Sequence, residues 1–590
     1  MLLRTIQKLI LALTFFISFN IFAACTSTLS NTSQNSTTTL QNTANGQCLI
    51  NYGTITPIYQ SYGPNGLADI VAINSSYSNY YMLNSGTINL IASSSSASGM
   101  TNDGDLGGAA ISGGSILNSG IITGSGTNNI YAIWPFTGTG IITSIINSGQ
   151  ILLTNSGQSV GIFNYSSNVV NLLENTGTIS TTGQNYAIGN NSEIKVFNNS
   201  GLITTSGTSH VISNNNVGDS IIDTLTNTGT ISATRSGYYG IRNNHVINTL
   251  NNSQGVGNSA GALTYTGILP TNYNIIINDS GHYGQLSGTN VTGSTTFGIN
   301  AASLITSRLY TGVLQGLASA RVGNARTGTY DNMNWTLALQ GGSSVNWDLT
   351  FSGVSLTQTQ ISLATQAQRL RSAFNLSVAS SNFANMNTYD CNLFDQNNMC
   401  ISAGGRYTNI DNPSSNNSAA VVVLGYKVNS NIRIGGFLDQ SINNNTPTGV
   451  RLSNSNPMMG VFAVWNKNED GLGYQIKIAS AYQDKDVTST RDAAAVSEAG
   501  SGKTNLNTQS YVGELSYSFN YQDSTIVRPY FAVRYTNIKQ DAYTEDTTAS
   551  VTTPLTYGKL SDRSTSALMG VKLNHALTPR TNLTASLGIE

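Results

Sequence analysis

Along the C-terminal part of the chain, apolar and polar residues alternate with a period of two. In residues 511–521, for example, Tyr511, Leu515 and Phe519 fall on one face of an extended segment, whereas Glu514 falls on the other. This alternation predicts β-strands with one apolar and one polar face. The predicted strands cover residues 401–409, 418–428, 431–442, 457–467, 471–487, 507–521, 526–540, 561–576 and 580–590.

The length of these strands indicates which kind of sheet they form. Strands of a soluble sandwich are about 5 to 6 residues long, and their apolar face is packed inward. The strands here reach about ten residues or more and carry aromatic residues near their ends, as lipid-facing strands do. The pattern therefore favours an antiparallel transmembrane β-barrel.

Directly before these strands, the apolar residues recur at intervals of three and four, which is the period of an α-helix. They are Ile361, Ala364, Ala367, Leu370, Phe374 and Val378. We predict a helix within residues 354–385. It is either an ordinary amphipathic core helix or a helix inside a polar barrel lumen, and its position before the first strand favours the lumen.

In the N-terminal half, a short Asn-x-Gly phrase followed by aliphatic residues recurs along the sequence. It begins at Asn84, Asn118, Asn147, Asn175, Asn199 and Asn227, and a decayed copy begins at Asn252. Spacings of 34, 29, 28, 24, 28 and 25 residues predict a solenoid. Three short strands per period, separated by Asn/Gly corners that tolerate positive φ, describe one coil of a β-helix. Seven coils at ~4.8 Å would form a rod on the order of 35 Å long.

The recurring Asn has two interpretations. Asn side chains stacked from coil to coil can form a hydrogen-bonded ladder, and they can also bind a ligand. We favour the ladder, because the same residue recurs in every coil whereas a binding site is normally unique.

The frequency of charged residues changes near residue 300. Charged residues make up 9% of the whole sequence, where about 25% is usual. Residues 26–300 contain 3 basic and 8 acidic side chains, whereas residues 301–590 contain 21 and 19. The net charge of -1 argues against a nucleic-acid partner, which requires a basic surface. The shift in composition predicts two domains.

The N-terminus has the features of a secretory signal peptide. Arg4 and Lys8 are followed by an apolar run at residues 9–24 that ends in small residues. No other stretch of the sequence approaches the ~20 apolar residues of a spanning helix, so membrane residence would require a barrel.

The four cysteines form two local pairs, Cys25 with Cys48 and Cys391 with Cys400. An exported chain meets an oxidising compartment, so we predict a disulfide in each pair. A lipoprotein-like reading, in which Cys25 is lipidated, is the alternative for the first pair. We expect no metal ion and no cofactor, because neither pair has further ligands at zinc spacing.

Candidate catalytic motifs are weak. Two Gly-x-Ser-x-Gly matches are centred on Ser159 and Ser259, but both lie in Gly/Ser-rich repeat without the strand-to-helix turn that such a motif needs. Other residues weighed for catalysis or calcium binding are Asp103 with Asp105, Asp219 with Asp223, and His210, His245 and His282. None completes a known constellation, so we predict that the protein is not an enzyme, with a hydrolytic passenger as the alternative.

The order of signal peptide, repeat rod, helix and C-terminal antiparallel barrel resembles a classical autotransporter of Gram-negative bacteria. Residues 389–394 and 400–406 also resemble the start of the barrel in one environmental subfamily. The resemblance implies a right-handed parallel β-helix passenger at the cell surface and a helix in the lumen of an outer-membrane barrel. It further implies outer-membrane lipid and the barrel-assembly machinery as partners, and a passenger-folding role for residues 264–353.

These inferences give an expected organisation. The expected segments are a signal peptide at 1–24, a passenger cap at 25–83, a β-helix at 84–263, an autochaperone-like segment at 264–353, a lumen helix at 354–385 and a barrel at 386–590. We expect a self-secreting protein whose adhesive or structural passenger contacts host or environmental surface glycans or proteins. An enzyme passenger and a plain outer-membrane pore are the alternatives. Since the family's barrel has twelve strands and the ninth predicted here ends at Glu590 in mid-alternation, we also expect the sequence to be a fragment.

Overall fold

A computed structural model provides the fold. The described residues are 27–57 (without 35, 37, 39, 42–43 and 45), 70–75, 81–92, 96–102, 113–135, 140–215 (without 166), 220–383 and 389–589 (without 412–413, 445, 454–455, 522–523, 549 and 579–580). The predicted signal peptide lies outside them. The chain forms two compact units, residues 1–353 and 354–590.

The first unit is a stack of coils in which each strand pairs in parallel with the equivalent strand of the next coil. In the second of its three long sheets, for example, Ile151 aligns with Ile122 on one side and Ile179 on the other. The all-β fold and the β-helix-like architecture that the repeat predicts are thus confirmed.

Three long sheets run along this unit. The first consists of Ser27–Asn31, Gln47–Asn51, Tyr81–Asn84, Gly114–Asn118, Ile141–Asn147, Val169–Asn175, Glu193–Asn199, Ile221–Asn227, Val246–Asn252, Asn272–Ile275 and Thr296–Ile299. The second consists of Thr54–Ile55, Thr87–Ala92, Ile121–Gly126, Gln150–Asn155, Thr178–Thr181, Leu202–Thr205 and Thr230–Ala233. The third consists of Leu40–Gln41, Ile70–Ser75, Ala97–Asn102, Ile130–Pro135, Ser159–Asn164, Ile188–Asn190, Ile212–Asn214, Ile241–Asn243, Leu263–Ile268, Leu286–Thr292, Leu309–Gln315, Trp347–Gly353, Met333–Leu339 and Thr327–Tyr330.

The stack is longer than predicted. The first sheet has 11 strands, which at ~4.8 Å per step span about 48 Å. The difference arises at both ends of the repeat. Before residue 84, Asn51 and Gly53 already carry the Asn-x-Gly phrase, followed by Thr54 and Ile55. After Asn252 the coils continue without the phrase: Ile275 and Ile299 take the register position of the Asn, and Tyr273 and Phe297 take that of Leu250.

A buried column of aliphatic side chains runs through the coils. Ile122, Ile151, Ile179, Ile203 and Ile231 lie one above the other and are at most 1% exposed. Because each coil covers the apolar side of the preceding one, burial of these side chains is the main stabilising contribution.

The recurring Asn forms a buried ladder along the first sheet. Eight side-chain hydrogen bonds of 2.7 to 3.0 Å join successive Asn residues from Asn31 to Asn252. A second, shorter ladder joins Asn164, Asn190, Asn214 and Asn243 on the third sheet at 2.8 Å per step. The ladder interpretation of the Asn residues is confirmed.

The Gly of the phrase has a different role from the one predicted. Gly177 does not have positive φ, but a Cβ atom at this position would collide with the carbonyl oxygen of Gly149 in the preceding coil. The same collision recurs at the other glycines of the phrase. Glycine is therefore required by the close approach of neighbouring coils rather than by backbone conformation.

The last part of the first unit changes from parallel coils to antiparallel pairing. Leu309–Gln315 pairs with Trp347–Gly353, which pairs with Met333–Leu339. A 3-10 turn at Ser319–Arg321 and a small sheet of Gly255–Val256, His282–Gly284 and Ile277–Asp279 complete this region. Its interior is aromatic, and Trp347, Tyr265, Tyr273 and Tyr310 are at most 1% exposed.

The second unit contains the helix Leu356–Phe383 and one large antiparallel sheet in which each strand pairs with the next. Its strands are Met399–Asp411, Ser414–Lys427, Ile432–Asn444, Met458–Asn466, Gly473–Arg491, Gly500–Asn520, Thr525–Gln540, Leu560–Thr578 and Thr581–Ile589. The short strand Val450–Leu452 also pairs with Gly473–Arg491, and Tyr543–Thr544 pairs with Thr556–Tyr557. All nine predicted strands are present, with most of their bounds shifted by a few residues.

None of the helices in the described part of the chain combines the length and the hydropathy of a membrane-spanning helix.

Candidate functional site

The two faces of the C-terminal sheet have opposite polarity. On the outer face, Val461, Ile478 and Leu515 are 63%, 61% and 51% exposed. The inner face, on which the helix lies, carries buried polar and charged residues. Those that are at most 9% exposed include Arg433, Asp439, Gln475, Lys477, Ser489, Arg491, Glu514, Arg528, Arg534 and Gln540. Apolar side chains outside and polar side chains inside are the reverse of a soluble sheet and are typical of a barrel in lipid.

The helix contacts the inner face through polar side chains in its N-terminal half. Gln366 Nε2 donates hydrogen bonds to Ser489 Oγ at 2.8 Å and to the Gly449 carbonyl at 3.1 Å. Ser362 Oγ donates to the Asp492 carbonyl at 2.6 Å. Both helix residues are buried, whereas the adjacent Ile361 is 45% exposed. This half of the helix therefore turns its polar side toward the sheet.

The C-terminal half of the helix contacts the same face through apolar side chains. Leu370 and Phe374 pack in one cluster with Val487, Leu506 and Ile538. Of the apolar stripe identified in the sequence, this part is buried, whereas Ile361, Ala364 and Ala367 are exposed. The amphipathic period thus predicts the helix correctly but not which side of its first turns faces the sheet.

A buried ion pair lies beside the helix. Arg491 donates to the Glu545 carboxylate at 2.7 and 2.8 Å, and both side chains are 2% exposed. Arg491 also donates to Ser362 Oγ at 3.1 Å, and the Tyr557 hydroxyl donates to Glu545 at 3.1 Å. Several hydrogen bonds thus compensate the loss of hydration of both charges. Through Ser362, the pair joins the helix to the end of the strand Gly473–Arg491 and to the segment between Thr525–Gln540 and Leu560–Thr578.

A second element on the inner face, which we call the strap, comprises residues 389–394. A disulfide joins Cys391 to Cys400 at the start of the first strand, with the two Cα atoms 5.9 Å apart. This is the pair that the sequence predicts. Cys48 is also disulfide-bonded, and its predicted partner, Cys25, lies outside the described residues.

The strap is held by charges on the strands. Asp390 accepts hydrogen bonds from the Arg433 guanidinium at 2.9 and 2.5 Å. Lys477 Nζ donates to the Tyr389 carbonyl at 2.6 Å, and the Tyr389 hydroxyl donates to Asp439 at 2.6 Å. A covalent tie and these contacts hold the strap against the inner face.

The sequence analysis did not identify the strap as a structural element. The available signal was the occurrence of charges at polar positions of predicted strands, such as Arg406, Arg433 and Lys477. Those charges need partners once buried, and Asp390 beside a paired cysteine is one such partner. The pairing itself spans 43 residues in the case of Asp390 and Arg433, so it cannot be read from local pattern.

The structure separates the candidate catalytic residues of the first unit. Ser159 is fully buried in a strand and accepts a hydrogen bond from Gly183 N at 3.0 Å. Ser259 is exposed in a turn, and Asp223 pairs with Lys195 at 3.5 Å. Asp103, Asp105 and Asp219 lie outside the described residues. Ser159 therefore lacks the exposed turn of a nucleophile.

The three histidines of the first unit lie apart from one another. His210 accepts a hydrogen bond from Tyr239 N, His245 lies 3.0 Å from the Ser220 carbonyl, and His282 lies 3.0 Å from Asp279. Within the residues that the structure describes, no group of three or more His, Cys, Asp or Glu side chains is suited to a metal ion.

Comparison with known proteins gives two findings. The family model described as autotransporter beta-domain matches residues 401–590. Among solved structures, the translocator domain of the autotransporter NalP from Neisseria meningitidis matches with 16% identity and a TM-score of 0.25, covering 39% of this chain and 76% of that chain. No curated protein matches the sequence.

The family match lies on the sheet whose inner face is polar and whose outer face is apolar, and it follows a unit of stacked parallel coils. Together these observations identify residues 401–590 as an autotransporter beta-domain that resides in the outer membrane, with the stacked coils before it as the passenger that is exported to the cell surface.

Proposed function

We propose that the exported passenger is an adhesive or structural rod that contacts surface glycans or proteins. The observation that carries this proposal is the uniformity of the coils. From Ser27–Asn31 to Thr296–Ile299, one sheet repeats with a similar spacing and, over most of its length, with the same buried Asn. A surface that repeats along its axis favours many weak contacts acting together, which is how adhesion gains strength.

The beta-domain would support this role from the membrane. Its apolar outer face favours contact with outer-membrane lipid, and its insertion would depend on the barrel-assembly machinery. In this proposal the inner face holds the helix and the strap, while the rod makes the contacts outside the cell.

The experiment is adhesion of Gram-negative cells that express the full chain. Cells would be scored on polystyrene, cellulose, chitin and mucin-coated surfaces before and after proteinase K treatment. Trypsin is a poor choice, because residues 26–300 contain only 3 basic residues. We expect expression to increase adhesion and proteinase K to remove the increase.

A matched variant tests whether the folded rod is responsible. Ile179 is fully buried between Ile151 and Ile203, so Ile179→Asp places an unpaired charge among apolar side chains. We expect this variant to lose display and adhesion, whereas Thr176→Ala, at an exposed neighbouring position, should behave like the parent. Adhesion that persists in Ile179→Asp cells, or turnover of ester or glycan substrates by parent cells, would contradict the proposal.

A further inference from the structure

The aromatic residues of the repeat region lie on one side of the coils. Residues 84–263 contain nine aromatic residues. Seven belong to strands of the third sheet or to the segments directly beside them, and all seven are partly or largely exposed; they are Tyr131, Trp134, Phe163, Tyr165, Tyr186, Tyr238 and Tyr239. Of the other two, Phe197 is fully buried and Phe136 lies outside the described residues. We call these seven residues, together with His210, the aromatic stripe.

The rings of the stripe form two groups. In the first group, the ring centroids of Tyr131 lie 4.3 Å from Trp134 and 5.9 Å from Phe163, and Phe163 lies 5.3 Å from Tyr165. In the second group, His210 lies 5.6 Å from both Tyr238 and Tyr239. Rings at these distances form a common surface.

The two groups lie on successive coils of one sheet. Ile133 aligns with Ile162, Ile162 with Ile188, Ile188 with Ile212, and Ile212 with Ile241. Five consecutive strands therefore carry the stripe, which at ~4.8 Å per step extends over about 19 Å.

A glycine lies beneath the aromatic rings of the middle coil. A Cβ atom at Gly189 would lie 2.7 Å from Phe163 Cδ2 and 3.4 Å from Tyr186 Cδ2. Because Gly189 has no side chain, both rings can cover the backbone of this strand. Phe163 of the first group and Tyr186 therefore lie over the same strand, between the two groups in the order of the coils.

The polar groups beside the rings are mostly neutral. His210 Nδ1 accepts a hydrogen bond from Tyr239 N at 3.1 Å, so the ring proton lies on Nε2, where it can be donated. Burial, and secondarily Arg242, lowers the pKa of His210 to about 4, so the imidazole is neutral near pH 7. Amides flank the stripe, with Asn185 3.5 Å from Gln158 and Asn215 2.7 Å from Asn191.

We propose that the aromatic stripe binds a neutral glycan. This inference rests on the adhesive role proposed above and specifies the ligand class. A sugar ring presents weakly positive C–H groups, which pack on aromatic rings, and hydroxyl groups, which hydrogen-bond to amides and to an imidazole N–H. Residues 26–300 carry only 3 basic and 8 acidic side chains. Of the basic ones, Arg242 lies near His210 at one end of the stripe, so few charges along the stripe could hold a charged polymer.

Ring stacking that only stabilises the coils is the other explanation of the stripe. Two features favour a ligand. Within the described part of residues 84–263, the exposed rings are confined to one side, although coils stack on all three sheets. Several rings also remain partly accessible, and Tyr165 is 38% exposed.

The test uses cells that display the full chain and fluorescein-labelled cellohexaose and chitohexaose as probes. An oligogalacturonate of similar length is the charged control. We expect parent cells to retain at least one neutral probe and not the charged one. Trp134→Leu and Tyr165→Ser should each lower retention about fivefold, because each removes one ring contact. Trp134→Phe, which keeps a ring, should retain the probe within about twofold of the parent.

Leu202→Ala provides a matched control, because Leu202 is 38% exposed like Tyr165 but lies on the second sheet. It should bind like the parent. Display is measured in every variant by resistance of the passenger to proteinase K, so that lost binding is separated from lost folding. Binding that falls only in proportion to protease resistance would assign the stripe to stability and overturn the proposal.

The proposal would also be overturned if cells displaying Trp134→Leu retained the probe as well as the parent does, or if displayed parent cells retained neither neutral probe. Cells that still adhere but retain neither probe would overturn the glycan assignment alone and leave the adhesive role standing. Failure of both adhesion and probe binding in displayed cells would overturn both.

Discussion

At the scale of single residues, the Asn and Gly of the repeated phrase perform separate tasks. Asn175 is fully buried; its Oδ1 accepts from Asn147 and its Nδ2 donates to Asn199, each at 2.8 Å. Gly177 allows the next coil to approach closely. The recurrence of Asn in every coil was sufficient to predict the ladder. The reason for Gly was not predictable, because it depends on the distance between coils rather than on the local backbone.

Removing one amide from the ladder should destabilise the rod. Asn175→Ala leaves Asn199 Oδ1 without its ladder donor and Asn147 Nδ2 without its ladder acceptor, so we expect a loss of about 1–3 kcal/mol in the free energy of unfolding. The measurement is a urea titration of the full chain, in which unfolding is monitored by the protease sensitivity of the passenger. Thr176→Ala, at the exposed next position, should change the midpoint little. Equal midpoints for the two variants would argue against a stabilising ladder.

A second prediction at this scale concerns pH. The pKa of His210 is lowered from 6.5 to about 4 in the folded chain, mainly by burial. Above pH 6.5 the imidazole is neutral in both states and has no effect. As the pH falls from 6.5 toward 4, the unfolded chain binds a proton that the folded chain does not, so stability decreases. Below about pH 4 both states are protonated and the loss levels off.

The same urea titration at pH 7, 5.5 and 4 checks this expectation. Carboxylates also titrate in this range, so the relevant quantity is the difference between the parent and His210→Gln, which cannot be protonated there. We expect this difference to shift in favour of the variant as the pH decreases. A difference that stays constant with pH would show that burial of His210 has no energetic consequence.

At the scale of elements, the edge of the second sheet shows how the stack is terminated. The last strand of this sheet is Thr230–Ala233, and Gln254 lies against it. Gln254 Oε1 accepts from Ile231 N at 2.8 Å, and its Nε2 donates to the Ile231 carbonyl at 3.1 Å. The side-chain amide thus occupies backbone groups that another strand would otherwise pair with. The decayed copy of the phrase at Asn252 marks this position in the sequence.

Replacing this amide should open the edge. Gln254 is 1% exposed, so Gln254→Leu leaves buried backbone groups of Ile231 unpaired, and we expect a loss of about 2–3 kcal/mol. Hydrogen exchange of the segment containing Thr230–Ala233 should accelerate. Gln254→Glu retains an acceptor for Ile231 N but has no donor for the Ile231 carbonyl. Hydrogen exchange of Thr230–Ala233 in this variant should therefore be faster than in the parent and slower than in Gln254→Leu. Unchanged exchange in Gln254→Leu would mean that the amide does not protect the edge.

The C-terminal elements show where sequence patterns suffice. Period-two alternation predicts all nine strands, because successive side chains of a strand point to opposite faces and the two faces of this sheet differ in polarity. The helix is predicted by its period, but its orientation depends on Gln366 meeting Ser489, 123 residues away. The strap depends on similarly distant contacts. Local pattern therefore predicts the elements, while the contacts on the inner face require the folded chain.

At the scale of the whole molecule, exposed aliphatic residues occur in two different solvents. In the passenger, Leu202 is 38% exposed on the second sheet and faces water. In the beta-domain, Ile478 is 61% exposed on the outer face, and its neighbours across the strands are Ala463 and Gly513. Exposure alone does not distinguish these positions. The outer-membrane location of the beta-domain assigns Ile478 to lipid.

Substitution by arginine should therefore be costly at Ile478 and nearly neutral at Leu202. Ile478→Arg places a guanidinium against lipid, which costs about 2–4 kcal/mol near the middle of the bilayer. Leu202→Arg places it in water, where a surface substitution usually changes stability by less than about 0.5 kcal/mol. We expect Ile478→Arg to lower the amount of full chain that remains in urea-washed outer membranes, and Leu202→Arg to leave it unchanged. If Ile478→Arg were tolerated as well as Leu202→Arg, the outer face would be facing water, and the assignment of its apolar side chains to lipid would be wrong.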